Sequence, residues 1–151
     1  MTVQQLRELF LNFFAERGHL IRPSAPLVLH NDPTSFFTSA GMQPYMAAFR
    51  GLEPPPAPRA VSIQKCCRTG DLEGVGLFNR YHTFFEMLGN FSFGDYFKAG
   101  AIDFAWEFVH DVLALPTESL WFTVFTTDDE AEQLWHRRIG IPRNRILRFG
   151  R

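Results

Sequence analysis

The sequence predicts a mixed α+β fold in which helices lie on either side of a two-stranded hairpin. Apolar residues recur with helical spacing over residues 3–14 and again over residues 101–112. Between these helices, residues 59–68 and 80–87 alternate as strands do, and the loop that separates them contains three glycines. Helices and an antiparallel strand pair that occupy separate blocks of the chain are typical of the α+β class.

The first helix has a start signal and a stop signal. Thr2 and Gln5 have the spacing of a capping box, and Gly18 ends the apolar stripe. Two prolines limit the next residues to short extended pieces, and the sequence HNDPT predicts a turn. We expect a brief apolar strand over residues 35–39 and a shorter helix over residues 41–49.

Two helices and two strands are predicted after the hairpin. Asp95 can cap the long helix, which ends before Pro116. Residues 120–127 have the composition of a strand. The next helix, over residues 128–138, carries acidic residues in its first turn and arginines in its last turn, which matches the helix dipole. Residues 145–149 predict a final short strand.

The length and composition predict one compact domain over residues 1–151. Of the 151 residues, 46% are hydrophobic and 21% are charged, which is the composition of a folded protein. The proline-rich run at residues 54–58 is expected to be a surface loop within that domain. The net charge of -1 gives no general attraction to nucleic acid or anionic membranes, so such a partner would need a local basic patch.

The cysteines favour a reducing compartment. Cys66 and Cys67 are adjacent, and neighbours on an extended chain point to opposite faces, which disfavours a disulfide between them. The sequence has no zinc-ligand spacing, and no apolar run reaches the ~18 residues of a membrane span. We therefore predict a soluble cytoplasmic protein with no membrane partner and no metal-ligating residues.

The hairpin offers a polar face that suits a ligand. Strand alternation places Gln64, Cys66 and Arg68 on one face of the first strand. On the returning strand we expect four residues to share that face: Arg80, His82, Phe84 and Glu86. An arginine can bind a phosphate, a ring can stack on a base, and a glutamate can accept from an exocyclic amine. This face is therefore predicted to bind a nucleotide.

Each of these residues also has a purely structural interpretation. Phe84 and Phe85 point to opposite faces, so one of them is expected to be a core ring. Arg68 taken alone could equally be a solvated or ion-paired surface residue. Cys66 and Cys67 are expected to be small packing residues, because no base accompanies them in the sequence.

Four sequence blocks carry a resemblance to a known family. DPTSFFTSAGM (32–42), QKCCR (64–68), DLEGVG (71–76) and HTFFEMLGNFSFGDYF (82–97) closely resemble bacterial alanyl-tRNA synthetase and occur in the family's order. The resemblance runs from the first helix to the end of the chain. It implies a class II synthetase catalytic domain, which is an antiparallel sheet flanked by helices.

The resemblance also implies a reaction and a set of site residues. The family joins L-alanine to ATP and transfers the alanyl group to tRNA(Ala), with Mg²⁺ on the phosphates. Residues 59–88 resemble motif 2, whose catalytic arginine matches Arg68 and contacts the α-phosphate. A basic residue followed four positions later by phenylalanine favours Phe84 as the adenine platform, with Phe85 as the alternative. The implied ATP-binding set is Arg68, Arg80, His82, Phe84, Phe85, Glu86 and Met87.

In the family, the rest of the catalytic domain and further domains follow the position that matches the last residue of this chain. Motif 3, an alanine-recognition segment and a zinc-bearing editing domain lie there, so the predicted fold is incomplete at its C-terminal end. We expect the N-terminal part of a catalytic domain, which is inactive alone in aminoacylation, binds no zinc and self-associates through uncovered sheet edges. A non-catalytic nucleotide- or tRNA-binding module derived from a synthetase is the alternative.

Overall fold

The computed structural model describes residues 1–28, 35–70 and 72–150, and the chain forms two compact units, Met1–Asp95 and Tyr96–Arg151. The predicted α+β class is confirmed, because helices flank a small sheet. None of the described helices is long and apolar enough to cross a membrane. The turn predicted from HNDPT lies outside the described residues.

The main elements follow one another in the predicted order. They are α1 (Val3–Ala15), β1 (Leu20–Arg22), α2 (Met46–Phe49), β2 (Arg59–Cys67), β3 (Phe84–Ser92), α3 (Lys98–Trp106), β4 (Phe122–Phe125), α4 (Asp129–Gln133) and β5 (Ile146–Phe149). A 3-10 turn, Gln43–Tyr45, leads into α2. Turns of π-helix extend α3 to Val112 and α4 to Arg138.

Helix α1 carries the main apolar stripe of the first unit. The predicted capping box is confirmed, because the Thr2 hydroxyl accepts from the Gln5 N–H at 3.2 Å and Gln5 Oε1 accepts from the Thr2 N–H at 2.8 Å. Three of the helix's phenylalanines are buried: Phe10, Phe13 and Phe14. The turn after the helix contains Gly18 at a φ of +79°, a conformation that glycine adopts without a Cβ clash.

The first unit contains a three-stranded sheet in the order β1–β2–β3. Strand β1 pairs parallel with β2, and β2 pairs antiparallel with β3. The β2–β3 register is continuous from Arg59 opposite Ser92 to Cys67 opposite Phe84. The predicted hairpin is therefore confirmed, but its return strand begins at Phe84, and Arg80 lies in the connecting loop.

Two different segments cover the two faces of the β2–β3 pair. On one face lies α1, whose Arg7 donates through Nε to the Glu86 carboxylate at 2.7 Å. On the other face lies the segment 39–49, in which the ring of Tyr45 packs against the ring of Phe91 with centroids 4.6 Å apart. The sheet is therefore the middle layer of this unit.

The strand predicted at residues 35–39 is wrong. The Ser35 hydroxyl donates to the carbonyl oxygen of Phe37 at 2.6 Å and accepts from the Phe37 N–H at 3.3 Å, which bends the chain locally. The carbonyl oxygen of Thr38 accepts from the Cys67 N–H at 2.9 Å. Local serine bonding therefore replaces a strand ladder at this point.

The second unit is built on a parallel strand pair. Strands β4 and β5 pair from Phe122 opposite Ile146 to Phe125 opposite Phe149. One face of this pair contributes to a core cluster of four buried residues: Phe122, Val124, Ile141 and Ile146. The rings of Trp106 and Trp135, from α3 and from the π-helical turn after α4, pack against that cluster and complete it.

The aspartates near the starts of α3 and α4 have different roles. Asp128, predicted to lie in the first turn of its helix, is the N-cap of α4 and accepts from the Ala131 N–H at 3.0 Å. The cap predicted for α3 is wrong, because the N-cap residue is Phe97 and makes no side-chain hydrogen bond there. Asp95 instead accepts two hydrogen bonds from Arg59, at 3.0 and 2.9 Å. A bidentate ion pair of this kind is stronger than a single cap hydrogen bond.

Folding stability is expected to depend on pH through His19. Burial lowers the pKa of His19 below its ordinary value of 6.5, and the positive charge of Arg59 adds to that effect. The unfolded chain therefore binds the proton first as the pH falls. This group's contribution to the free energy of unfolding should stay constant above pH 6.5 and decrease as the pH falls from there towards the folded-state pKa.

Urea denaturation at about pH 8 and about pH 5 measures this dependence. The variant His19→Gln should lose this part of the pH dependence, whereas His82→Gln, at an exposed loop position, is the matched control and should keep it. An unchanged slope in His19→Gln would contradict the assignment.

Candidate functional site

An open cavity of about 730 Å³ lies where Arg68 follows the end of β2. Its lining comes from two separate stretches of sequence, residues 35–37 with Ser39 and residues 67–70. A cavity of this size falls within the usual range for small-molecule sites. The predicted catalytic arginine therefore lies at a concave surface.

Three contacts of different kinds position Arg68. Its N–H donates to the carbonyl oxygen of Thr83 at 2.8 Å, which continues the β2–β3 ladder by one residue. Its side-chain Nε donates to the carbonyl oxygen of Ser39 at 3.0 Å. Its guanidinium carbon lies 5.1 Å from the centre of the Phe85 ring, within the range of a cation–π contact. Arg68 is exposed to solvent, although these contacts hold both its backbone and its guanidinium group.

The β2–β3 register determines which predicted residues share a face with Arg68. Cys66 lies opposite Phe85, and Gln64 lies opposite Met87. Paired residues of an antiparallel ladder project to the same side of the sheet, and alternate residues along a strand do so too. Phe85 and Met87 therefore lie on the Arg68 face.

The expectation that Phe84 and Glu86 share the Arg68 face is wrong. Phe84 lies opposite Cys67, and Glu86 lies opposite Lys65, so both project from the other side of the sheet. The ion pair between Glu86 and Arg7 of α1 agrees with this placement. Phe84 is 54% exposed, and neither Phe84 nor Phe85 is among the described residues that line the cavity.

Arg80 and His82 lie in the connection between β2 and β3, where both side chains are exposed. They therefore do not extend the face of β3 as expected. Arg80 lines a second open cavity of about 440 Å³, together with Leu77, Phe78, Asn79 and Tyr81. The structure thus brings the Arg68 guanidinium to the Phe85 ring, with Met87 on the same face, and it places Arg80 at a different cavity.

Two further residues on the Arg68 face are structural. Gln64 is only 1% exposed, and its amide bonds in both directions with the backbone of Ala25, at 2.8 and 3.0 Å. This amide is therefore not available to a ligand, contrary to the expectation from the sequence. Burial raises the pKa of the Cys66 thiol, with the positive charge of Arg68 opposing the rise, so this cysteine is a protonated packing residue.

The segment between residues 39 and 43 supplies contacts that the sequence interpretation missed. The backbone oxygen of Ser39 holds Arg68, and the Gly41 N–H donates to the Met87 sulfur at 3.0 Å. Gln43 Oε1 accepts from the Ser39 N–H at 2.8 Å. A usable signal was Pro44 directly after Gln43, because proline is favoured at the start of a helical turn, where its fixed φ suits the turn and no backbone N–H is needed.

The described residues do not form a metal site. Among residues 1–28, 35–70 and 72–150, no group of three or more His, Cys, Asp or Glu side chains is arranged to hold a metal ion.

Comparison with known proteins gives one consistent family. The family profile described as tRNA synthetases class II (A) matches residues 5–151. The chain is 53% identical to an alanine–tRNA ligase of Vesicomyosocius okutanii subsp. Calyptogena okutanii, over 99% of the chain and 18% of that protein. It is 55% identical to an alanine–tRNA ligase of Dichelobacter nodosus over the same shares.

A third relative agrees with these two. The chain is 52% identical to an alanine–tRNA ligase of Desulforamulus reducens, over 100% of the chain and 17% of that protein. The chain thus spans less than a fifth of the length of the curated relatives it matches. It belongs to the class II tRNA synthetase family and, within it, to the alanyl-tRNA synthetases.

Proposed function

We propose that this chain contributes the ATP site for activation of L-alanine to alanyl-adenylate, with transfer of the alanyl group to tRNA(Ala) as the reaction of the whole enzyme. Arg68 is the proposed catalytic residue and binds the α-phosphate. Phe85 is the proposed platform for the adenine ring. The names of the relatives support the substrate, since each is an alanine–tRNA ligase.

The observation that carries this proposal is the contact between Arg68, which lines the open cavity, and the ring of Phe85 on the same face of the sheet. A guanidinium and an aromatic face 5.1 Å apart offer the two contacts that a nucleotide needs, one for phosphate and one for base. Arg68 keeps its Nε on a backbone oxygen, so a phosphate would meet its two terminal nitrogens. This arrangement favours Phe85 over Phe84 as the platform.

The proposed chemistry at Arg68 is stabilisation of charge. A carboxylate oxygen of alanine attacks the α-phosphorus of ATP, a new P–O bond forms, and the bond to the β-phosphate oxygen breaks with loss of pyrophosphate. Negative charge on the α-phosphate oxygens increases during this step. A guanidinium that is already oriented stabilises that charge without reorganisation, which is worth about 3 to 4 kcal/mol for one strong donor.

The remaining residues of the proposed ATP-binding set differ in how well the geometry supports them. Met87 supports the site from the Arg68 face through its contact with Gly41. Arg80 and His82 would contribute as residues of the exposed loop before β3. Phe84 and Glu86 have the weakest support, because they project from the opposite face.

We propose that both compact units belong to one aminoacylation domain over residues 1–151. The family profile, which matches residues 5–151 as one continuous stretch, supports this proposal. One cooperative thermal unfolding transition is the expected behaviour. Two resolved calorimetric transitions would contradict it.

The proposed partners are ATP with Mg²⁺, L-alanine, tRNA(Ala) and a second copy of the chain. The alanine–tRNA ligases among the relatives support the first three. Self-association is supported by large apolar side chains that are well exposed, among them Phe36 and Leu77. Light scattering that finds a monomer at all accessible concentrations would refute the self-association.

Replacing Arg68 by alanine is expected to weaken ATP binding. Loss of charge-assisted hydrogen bonds of about 1.5 to 3 kcal/mol corresponds to a rise in Kd of tenfold or more. Isothermal titration with MgATP measures the change. Arg137→Ala, at an exposed arginine of the second unit, is the matched control and should bind as the wild type does.

If the wild type does not bind ATP, or if Arg68→Ala binds equally well, the proposed site is wrong. Alanine-dependent exchange of pyrophosphate into ATP then separates an enzyme from a nucleotide-binding module. ATP binding without exchange would favour the module.

Replacing Phe84 and Phe85 by alanine, one at a time, tests which ring stacks on adenine. Phe85→Ala should weaken ATP binding by about 1 to 3 kcal/mol, the usual contribution of stacking between a base and an aromatic ring. Phe84→Ala should leave the affinity unchanged, because this ring faces the other side of the sheet. Titration of both variants with the same fluorescent adenine nucleotide gives the comparison, and a larger loss in Phe84→Ala would refute the proposed role of Phe85.

A further inference from the structure

Hydrogen bonds on either side of Ser39 connect Gln43 to the guanidinium of Arg68 through the Ser39 backbone. Gln43 Oε1 accepts from the Ser39 N–H at 2.8 Å and from the Ser39 hydroxyl at 3.3 Å. The carbonyl oxygen of Ser39 accepts from Arg68 Nε at 3.0 Å. One side-chain oxygen therefore fixes the residue whose backbone holds the arginine.

From this geometry we propose that Gln43 is a positioning residue for Arg68, which it orients through Ser39 without itself contacting the nucleotide. This inference deepens the proposed ATP site and rests on it. The class of ligand is the same, a nucleoside triphosphate whose α-phosphate meets the guanidinium.

The local backbone makes Gln43 a rigid point of attachment. The Gln43 N–H donates to the carbonyl oxygen of Ala40 at 3.2 Å, and Pro44 follows at the start of the 3-10 turn. Proline fixes its own φ and so stiffens the turn. Gln43 is half-buried, which limits the rotamers open to its side chain.

Ser39 needs this attachment because it lies in irregular backbone. Two bonds to the same acceptor hold its N–H and its hydroxyl, and this leaves little freedom for the adjoining carbonyl. Without them the Ser39 carbonyl could rotate, and Arg68 would lose a fixed partner for Nε. The Arg68 side chain would then sample several rotamers. Nucleotide binding would have to order it, and the loss of conformational entropy would weaken the affinity.

The first test follows the Arg68 side chain directly, in the absence of nucleotide. The Nε–H resonance of Arg68 can be identified in ¹H–¹⁵N spectra by its disappearance in Arg68→Lys. In Gln43→Met, which keeps the side-chain length but removes the acceptor, this resonance should shift and exchange faster with water. Gln43→Glu keeps an acceptor oxygen at the same position and should retain the wild-type protection from exchange.

The matched control for this test is Gln133→Met, an exposed glutamine in the second unit, which should leave the Arg68 resonance unchanged. If Gln43→Met fails to fold, Gln43→Asn removes the same contact by shortening the side chain and should give the same result. The proposal would be overturned if the Arg68 Nε–H resonance is the same as in the wild type in whichever of these two variants folds. It would also be overturned if Gln43→Glu loses the protection from exchange.

The second test is a double-mutant cycle on ATP affinity. Gln43→Met alone should raise the Kd for MgATP by about threefold to tenfold, the effect of leaving one long side chain unordered. In the Arg68→Ala background the same substitution should have no further effect, because Gln43 acts only through that arginine. Equal effects in the two backgrounds would refute the positioning role.

The two proposals fail in different ways. If ATP does not bind the wild type, the proposed function is wrong, and the resonance of Arg68 still tests its link to Gln43. If ATP binds and Arg68→Ala weakens it while Gln43→Met changes neither the affinity nor the resonance, only the positioning role is wrong.

Discussion

The antiparallel register between β2 and β3 is the constraint on which the candidate site depends. Each residue of β2 from Arg59 to Cys67 faces one residue of β3, without interruption. A shift of one position would move every side chain of one strand to the other face. The register places Phe85 with Arg68 and leaves Phe84 on the face covered by α1. The ion pair between Arg7 of α1 and Glu86 of β3 is a contact outside the strand ladder that is consistent with this register.

The site is assembled from two segments that are distant in sequence. Strand β2 ends at the cavity and supplies Arg68, while the segment from Ser39 to Gln43 crosses the same face and supplies backbone partners. Tyr45, packed on Phe91, anchors that segment further along the sheet. Packing far from the cavity therefore helps to fix the arginine, which is the kind of support that a preorganised charge requires.

Local signals in the sequence were sufficient for part of this structure. The capping box of α1 uses contacts within three residues and formed as predicted, and the acidic residues predicted at the start of α4 lie there, with Asp128 as its N-cap. The faces of the hairpin were predicted wrongly, because the pairing of Phe84 with Cys67 depends on the path of the intervening loop. Asp95 does not cap α3, because it forms an ion pair with Arg59. Arg59 is distant in sequence, so helix start signals do not reveal this partner. Long-range partners thus account for the failures at β3 and α3.

The most direct measurement of the central claim is an intermolecular nuclear Overhauser experiment on bound ATP. With phenylalanine rings labelled and the two neighbouring rings assigned by substitution, the base protons of adenine should give contacts to Phe85 and none to Phe84. That result would place the base on the Arg68 face of the β2–β3 pair. Contacts from adenine to Phe84 alone would contradict the account, because the base would then lie on the opposite side of the sheet from the arginine.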